Sequence, residues 1–189
     1  MACNITAGVG ISCAALRRIG GVNKRAYVFN LNDLVGGTGV PPTGYTLDAN
    51  LYVNSLQFTT YLGLYKYISR KQAHSGGATA QIQGPGGNKF FQHDVILKMF
   101  PDDPTDDAIM EAFLVANVAV ILEDNNQEFF LYGIRNGLDQ QEGVQNTGQE
   151  SSSDISYSIT LVGSEPELPK RVLVTDYGTT KNYLDSLVI

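Results

Sequence analysis

The chain has 189 residues and a mass of 20.5 kDa, which suits a single domain, 1–189, that buries about 70% of its unfolded surface. Its net charge of -6 argues against tight nucleic-acid binding, because phosphate contacts need concentrated lysine and arginine. The longest apolar run is Val118 to Leu122, and the N-terminal basic pair follows a mildly apolar stretch, so we expect neither a transmembrane helix nor a secretory signal.

The charges divide unevenly along the chain. Residues 1–100 contain nine Lys/Arg and three Asp/Glu, a balance of +6, whereas residues 101–189 contain four and sixteen, a balance of -12, and the two balances sum to -6. Local charge runs usually mark a solvated face. A division of the whole chain also suits a subunit that packs positive surface against a neighbour's negative surface.

Residues 1–22 form an N-terminal extension of small residues that holds both cysteines, Cys3 and Cys13. No CxxC pair and no histidine lies near them, so a zinc site lacks ligands. We expect two reduced thiols in a reducing compartment.

Twenty glycines, ten tyrosines, eight phenylalanines and no tryptophan favour a β-rich fold. The alternation of residues predicts a strand over 24–34, then a loop over 35–45. The aromatic stretch 51–68 predicts a long bent strand or two consecutive strands. The polar segment 69–89 predicts a glycine-rich loop, or an arm that becomes ordered against a partner, and 90–100 predicts a strand.

The stretch "FPDDPTDD", residues 100–107, places four carboxylates before an apolar run, which would suit a metal site, a catalytic acid pair or the start of a helix. Pro101 stops the preceding strand, Asp103 can cap, Pro104 suits the first helical position and Asp106 closes an acidic capping box. One apolar face then follows at helical spacing: Ile109, Ala112, Phe113 and Ala116. These features predict one helix over about 104–117.

The rest of the chain alternates between strands and turns. Residues 118–134 predict a hairpin that turns at Asp124, Asn125 and Asn126, and a glycine-punctuated polar stretch follows it. Residues 154–163 predict a strand with Ile155, Tyr157, Ile159 and Leu161 inward and serines outward. A short strand at 171–175 and a terminal helical turn within 179–189 complete a mainly β fold, a β-sandwich or barrel with one flanking α-helix.

The sequence predicts no catalytic, cofactor-binding or metal-binding residue. The two histidines, His74 and His93, lie in no GxSxG motif and beside no cysteine, so we expect an exposed loop histidine and a strand-face histidine. "GPGGNK" at 84–89 is not a P-loop, because a strand follows it where a helix is required.

The acidic residues Asp102, Asp103, Asp106, Asp107 and Glu111 could attract a metal ion. Calcium loops alternate their ligands around a glycine, but this run has two prolines and no glycine, and helix capping accounts for its carboxylates. Two alternative functions stay open. One is a small hydrolase with an acidic cleft of Asp103, Asp106 and Glu123, and the other is a carbohydrate- or receptor-binding β-sandwich that uses some of the ten tyrosines.

Three stretches together resemble phage tail-tube and related tail-ring virion proteins, in particular those of Bacteroidetes-type phages and prophages. They are "MACNITAGVGISC" leading to "GGVNKRAYVFNLNDL", then "FFQHDVILKMF" followed by the predicted helix and hairpin, and "GQESSSDISYSITLVGSEPELP". The resemblance covers about three quarters of the chain and rests on the order of these fold patterns. It does not extend over 69–89.

The resemblance implies a structural protein of the virion tail or head-tail junction, made in the host bacterial cytoplasm, with no cofactor and no enzymatic activity. It implies a homo-oligomeric ring, a hexamer or dodecamer, whose sheets form a lumen wall for DNA passage during ejection. Such rings stack into a tube, and a single head-tail adaptor or connector ring is the alternative. Residues 50–100 are the candidates for lumen-facing strands and for an arm that touches the next ring.

Overall fold

The computed structural model describes residues 21–36, 43–69, 73–83, 88–100, 105–146 and 156–189. These residues form eleven strands in two sheets and two α-helices, which confirms the mainly β prediction. The first sheet has seven strands in the order β2-β3-β11-β8-β7-β1-β4, and the second has four in the order β5-β6-β10-β9.

The strands of the seven-stranded sheet are β1 (Val22–Asn30), β2 (Tyr45–Leu47), β3 (Val53–Leu56), β4 (Tyr65–Ile68), β7 (Val118–Asp124), β8 (Phe129–Tyr132) and β11 (Lys170–Val172). The four-stranded sheet is entirely antiparallel and consists of β5 (Ser75–Gln83), β6 (Asn88–Met99), β9 (Asp139–Asn146) and β10 (Ser156–Glu165). The helices are α1 (Thr105–Phe113) and α2 (Tyr177–Ser186).

Both faces of the seven-stranded sheet are covered, because its central strands are apolar on both sides. In β1, Tyr27 and Phe29 belong to a core under α2, together with Leu184 of that helix. Ala26 and Val28 belong to a second core. This second core includes Val95, Leu97, Ile159 and Leu161 of the four-stranded sheet, so the two sheets pack face to face as a sandwich.

The hairpin predicted over 118–134 is confirmed: β7 and β8 pair antiparallel across a turn that begins at Asp124. A second turn, begun by Asp48, is built in the same way. In each, one aspartate oxygen accepts the backbone N–H groups two and four residues later, at 2.8 to 2.9 Å. Each also has a residue with positive φ at its fourth position, Leu51 or Gln127, both at 65°.

Helix α1 is four residues shorter at its C-terminal end than the sequence predicts. Turn-like hydrogen bonds continue the chain to Ala116, and Asn117 then bonds to the loop before β9. Of the predicted apolar face, only Phe113 is buried, whereas Ile109 is 42% exposed. The capping residue Asp103 and its neighbour Asp102 lie outside the described residues, so the predicted cap remains a prediction.

The predicted flanking helix is joined by a second one, because the expected terminal turn is a full helix, α2. Asp176 caps it by accepting the N–H of Thr179 at 3.0 Å, and the same contact holds the pKa of Asp176 below its usual range. Leu184 and Thr180 face the core and are fully buried. The polar composition of 177–186 hid a helix that only tertiary packing stabilises.

The prediction of a loop or partner-dependent arm over 69–89 is corrected by β5, which pairs with β6 over nine residues, from Ser75↔Ile96 to Gln83↔Asn88. The glycines and small side chains of β5 make it a weak strand by itself, but the long neighbouring strand β6 provides hydrogen-bond partners along its whole length.

The segment 51–68 contains two strands, which is one of the two alternatives that the sequence predicts. These strands, β3 and β4, lie far apart in the same sheet.

The polar stretch after the hairpin also contains a strand, β9, that the sequence analysis missed. In β10, Ile159 and Leu161 are buried as predicted, but Ser156 is also buried, at 3% exposure.

Several residues of the sequence predictions lie outside the described residues: Cys3 and Cys13 of the N-terminal extension, residues 84–87 of "GPGGNK", and Ile155. No helix in the described part of the chain is long and apolar enough to cross a membrane.

Candidate assembly edges of the four-stranded sheet

Among the described residues, the four-stranded sheet ends in two long edge strands, β5 and β9, of nine and eight residues. β5 reads "SGGATAQIQ" and has neither a charged residue nor a proline. Edge strands usually carry such residues, or are short, because their unpaired N–H and C=O groups otherwise pair with another chain. The edges of the seven-stranded sheet follow that rule, since β2 has three residues and β4 has four, one of them Lys66.

The outer face of the four-stranded sheet, which points away from the sandwich core, combines polar side chains with the exposed Ile96 and Val144. Strand register places Thr79, Gln92, Ile96 and Thr160 on it, and each of them is exposed or only partly buried. Its charged members by register are Asp94, Lys98, Glu142 and Asp139. Three carboxylates therefore stand against one ammonium group, and the face is net acidic.

The β5–β6 hairpin extends beyond the buried part of the sheet. Val95 and Leu97 of β6 are fully buried, whereas Ile82 near the far end of β5 is 71% exposed. Ile82 pairs with Lys89 on the side of the sheet that carries the core. The hairpin end thus presents an apolar side chain outside the sandwich.

The near end of β5 is held firmly against the seven-stranded sheet. Gly76 lies so close to Leu122 and Tyr132 that an added Cβ would be 2.7 Å from Leu122 Cδ1 and 2.9 Å from the Tyr132 hydroxyl. Burial, followed by the charge of Asp124, raises the pKa of Tyr132 to about 12. These groups border a cavity of about 420 Å³.

His74, which the sequence predicts to be an exposed loop residue, is instead buried beside this cavity, with 2% exposure. Its Nδ1 accepts the backbone N–H of Lys98 at 3.3 Å. The residue precedes β5, so its burial helps to fix where the edge strand begins. The prediction failed because it depended on treating 69–89 as a loop.

A short loop, residues 133–138, carries the chain from β8 of one sheet to β9 of the other. Glu165, with 1% exposure, ends β10 beneath it. One Glu165 oxygen accepts the backbone N–H groups of Arg135 at 3.2 Å and Asn136 at 2.9 Å, and the carboxylate also bonds to the N–H of Gly137. Burial raises the pKa of Glu165, although these N–H groups act in the opposite direction.

His93 supports the same loop from β6, as the strand-face histidine that the sequence predicts. Its Nδ1 accepts the Gly133 N–H at 3.3 Å, so its Nε2 donates to the Glu167 carbonyl at 2.9 Å. Burial lowers the pKa of His93, against the effect of the Glu167 carbonyl. This arrangement suits a neutral, structural imidazole.

A polar network connects α2 to the seven-stranded sheet. The fully buried Glu123 accepts from Arg25 Nη1 at 2.7 Å and from the Tyr177 hydroxyl at 2.8 Å. Asp185 accepts from Lys66 Nζ at 2.6 Å and from the Tyr27 hydroxyl at 3.0 Å. Burial opposes ionisation of Asp185, but the Lys66 and Tyr27 contacts together hold its pKa below the usual range.

These ion pairs change the meaning of the charge division along the chain. Arg25–Glu123 and Lys66–Asp185 each join the basic half to the acidic half within one molecule. In the seven-stranded sheet, the acidic-half strands β11, β8 and β7 lie between two pairs of basic-half strands, whereas in the four-stranded sheet β5 and β6 lie on one side and β10 and β9 on the other. These ion pairs neutralise part of the division within one molecule, and the packing of a positive surface against a neighbour's negative surface remains a prediction.

Of the acidic residues in the hydrolase hypothesis, the structure describes Glu123 and the position of Asp106 in α1, and these lie on different sides of the seven-stranded sheet. Glu123 lies on the α2 side of the seven-stranded sheet, whereas Phe113 of α1 packs into the core on the other side. Asp106 and Asp107 lie in the first turn of α1, and Asp103 lies outside the described residues. Glu111 is exposed, and no group of three possible metal ligands occurs in the described ranges.

We did not predict from the sequence the residues that shape the edges: Gly76, Asn117 and Glu165. Only the pair Gly76–Gly77 within an otherwise regular segment gave a usable signal, since glycine in a strand marks a close backbone approach.

The tyrosines of the binding-module hypothesis differ in their exposure to solvent. Tyr27 is fully buried and suits the packing explanation, whereas Tyr61 is 94% exposed on a turn.

Comparison of the chain with protein-family models, curated proteins and solved structures gives no significant match.

Proposed function

We propose that this chain is a virion structural protein, a ring-forming subunit of a phage tail tube or tail, with a single head-tail adaptor ring as the alternative assembly. One observation carries the proposal: in the part of the chain that the structure describes, the four-stranded sheet ends in two long edges, β5 and β9, of similar length. A long uncharged edge such as β5 is a template for pairing with a strand from another molecule. Here each copy has both halves of such a joint.

The strand directions support head-to-tail pairing. The sheet contains an even number of alternating strands, so β5 and β9 run in opposite directions. If β5 of one copy lies beside β9 of the next, the antiparallel alternation continues through the joint without a break. Such a contact is heterologous and closes into a ring when the rotation between copies allows.

Charge disfavours the competing pairing of β9 with β9. That arrangement would bring Asp139 and Glu142 of both copies into one joint, where like charges are destabilising. β5 has no charge to oppose its approach to β9. The heterologous joint is therefore favoured over a β9–β9 dimer.

In this ring, the outer face of the four-stranded sheet lines the lumen. Asp94, Asp139 and Glu142 outnumber Lys98 there, so the wall repels DNA phosphates and does not retain a passing duplex. The protruding hairpin end, with the exposed Ile82, is then available for contact with a following ring.

The test is the assembly state of the purified protein, by sedimentation velocity and electron microscopy. We expect closed rings. Rings that stack into rods would indicate a tail tube, whereas single rings that do not stack would indicate an adaptor. Thr79→Asp places a charge on the exposed β5 edge and should remove most of the rings, whereas Thr60→Asp, at an exposed turn position, should not. A wild-type protein that stays monomeric under all conditions would refute the proposal.

A further inference from the structure

Glu165, the last residue of β10, is 1% exposed, and its carboxylate forms no ion pair with a lysine or arginine among the described residues, although the charge of Arg135 acts to lower its pKa. Its partners are the backbone N–H groups of three consecutive residues, 135–137. A buried carboxylate is costly unless it is hydrogen-bonded. The loop therefore satisfies Glu165, and Glu165 in turn fixes the backbone of the loop.

The loop is fixed from its other side as well. Asn117 donates from Nδ2 to the Asn136 carbonyl at 3.1 Å and to Asp139 Oδ1 at 3.2 Å. Leu138 exchanges two backbone hydrogen bonds with Val118, at 2.7 and 3.0 Å. Glu165 is thus the side chain of the four-stranded sheet that binds the backbone of 135–137, and the other two contacts come from the chain that enters β7.

Close approach of the backbone completes the junction. Gly137 has a φ of 82°, which favours glycine, and it lies against the Asn117 side chain and the backbone at Gly163. Two residues later β9 begins, and its first pairing is Asp139↔Val162. The path of 135–137 therefore determines where the β9 edge starts.

We infer that Glu165 is a positioning residue for assembly: by binding the backbone of 135–137 it sets the position of the β9 edge that the next copy pairs with. The inference rests on the proposed ring. It assigns control of the joint to a residue that is buried inside the subunit and touches no neighbouring molecule in the proposed arrangement. Assembly should therefore depend on Glu165 more strongly than folding does.

The experiment compares the full chain with Glu165→Ala, Glu165→Gln and a matched control, Glu167→Gln. Glu167 lies two residues further along and bonds to the side chains of Arg135 and Lys170. Each protein is examined by hydrogen exchange resolved along the chain, by thermal unfolding, and by sedimentation velocity. Glu165→Gln keeps one carbonyl oxygen as an acceptor and remains informative if the alanine variant does not fold.

We expect Glu165→Ala to accelerate exchange over 135–146 at least about tenfold, while β1 and β7 keep their protection. The ring fraction should fall in parallel, and Glu165→Gln should recover part of both properties. Glu167→Gln should match the wild type in β9 exchange and in ring formation.

The outcomes separate this inference from the proposed function. Unchanged exchange over 135–146 would overturn the positioning role, and so would full ring formation by a variant whose β9 exchanges rapidly. If the wild type forms no rings but Glu165→Ala loosens β9 selectively, the ring proposal fails and the local positioning role stands.

Discussion

The adjacent glycines of β5 provide a matched test of whether this segment is a packed edge strand. A Cβ added at Gly76 would meet Leu122 Cδ1 at 2.7 Å and the Tyr132 ring and hydroxyl at 2.9 Å. A Cβ added at Gly77 would meet nothing within 4 Å. Gly76→Ala and Gly77→Ala share the same gain in strand propensity, so the difference between them isolates the packing cost.

Overpacking typically costs about 1–3 kcal/mol. Leu122 can rotate its terminal methyl group away, but Tyr132 is only 7% exposed and lies edge-on against His93, with 5.7 Å between the ring centroids. We therefore expect Gly76→Ala to unfold with a free energy about 1–2 kcal/mol lower than Gly77→Ala, a difference of about 2–8 °C in Tm.

The assay is urea denaturation followed by circular dichroism, with thermal unfolding as a second measure. Gly77→Ala should equal or slightly exceed the wild type in stability. Equal effects of the two substitutions, or a larger loss at Gly77, would contradict the packing of β5 and return 69–89 to the loop that the sequence predicts.

Three further predictions concern stability. Leu51→Gly should raise the free energy of unfolding by about 0.5–1 kcal/mol in urea titrations, because φ is 65° at this exposed turn position, and a decrease would contradict the strain. The pKa of Asp185 is depressed in the folded state, so its contribution is present above about pH 4 and is lost on further acidification. Asp185→Asn should therefore flatten the acid limb of the stability curve, and an unchanged limb would exclude Asp185 as its cause. The pKa of Glu165 is raised, so its contribution is complete below about pH 4.5 and falls as pH rises through the folded-state value. Relative to Glu165→Gln, the wild type should lose at most about 1.4 kcal/mol per pH unit in that window, and parallel curves would refute this assignment.

Several elements were predictable from the sequence because their signals are local. The alternation in 90–100 and 154–163 identified β6 and β10, and the acidic Asn-containing turn identified the β7–β8 hairpin. The start of α1 followed from proline and aspartate chemistry near residue 104. In each case a few neighbouring residues carry enough information to specify the element.

Other elements depend on partners distant in the chain. β5 and β9 have little apolar alternation, and they are strands because β6 and β10 provide continuous hydrogen-bonding neighbours. α2 is stable because one side of it packs on the seven-stranded sheet. Two hydrogen bonds also join it to that sheet, from the Tyr177 hydroxyl to Glu123 and from the Tyr27 hydroxyl to Asp185. The charge division was visible in the sequence, but pairing between the two halves placed opposite charges side by side.

The sequence by itself determined the β-rich class, the positions of most strands along the chain and the lack of a recognisable catalytic motif, because composition and local periodicity carry that information. Only the tertiary structure decided which strands became edges. An edge is defined by the absence of a neighbour, and strand pairing depends on contacts among residues far apart in the chain, such as Ser75 with Ile96 and Glu165 with the 135–137 loop.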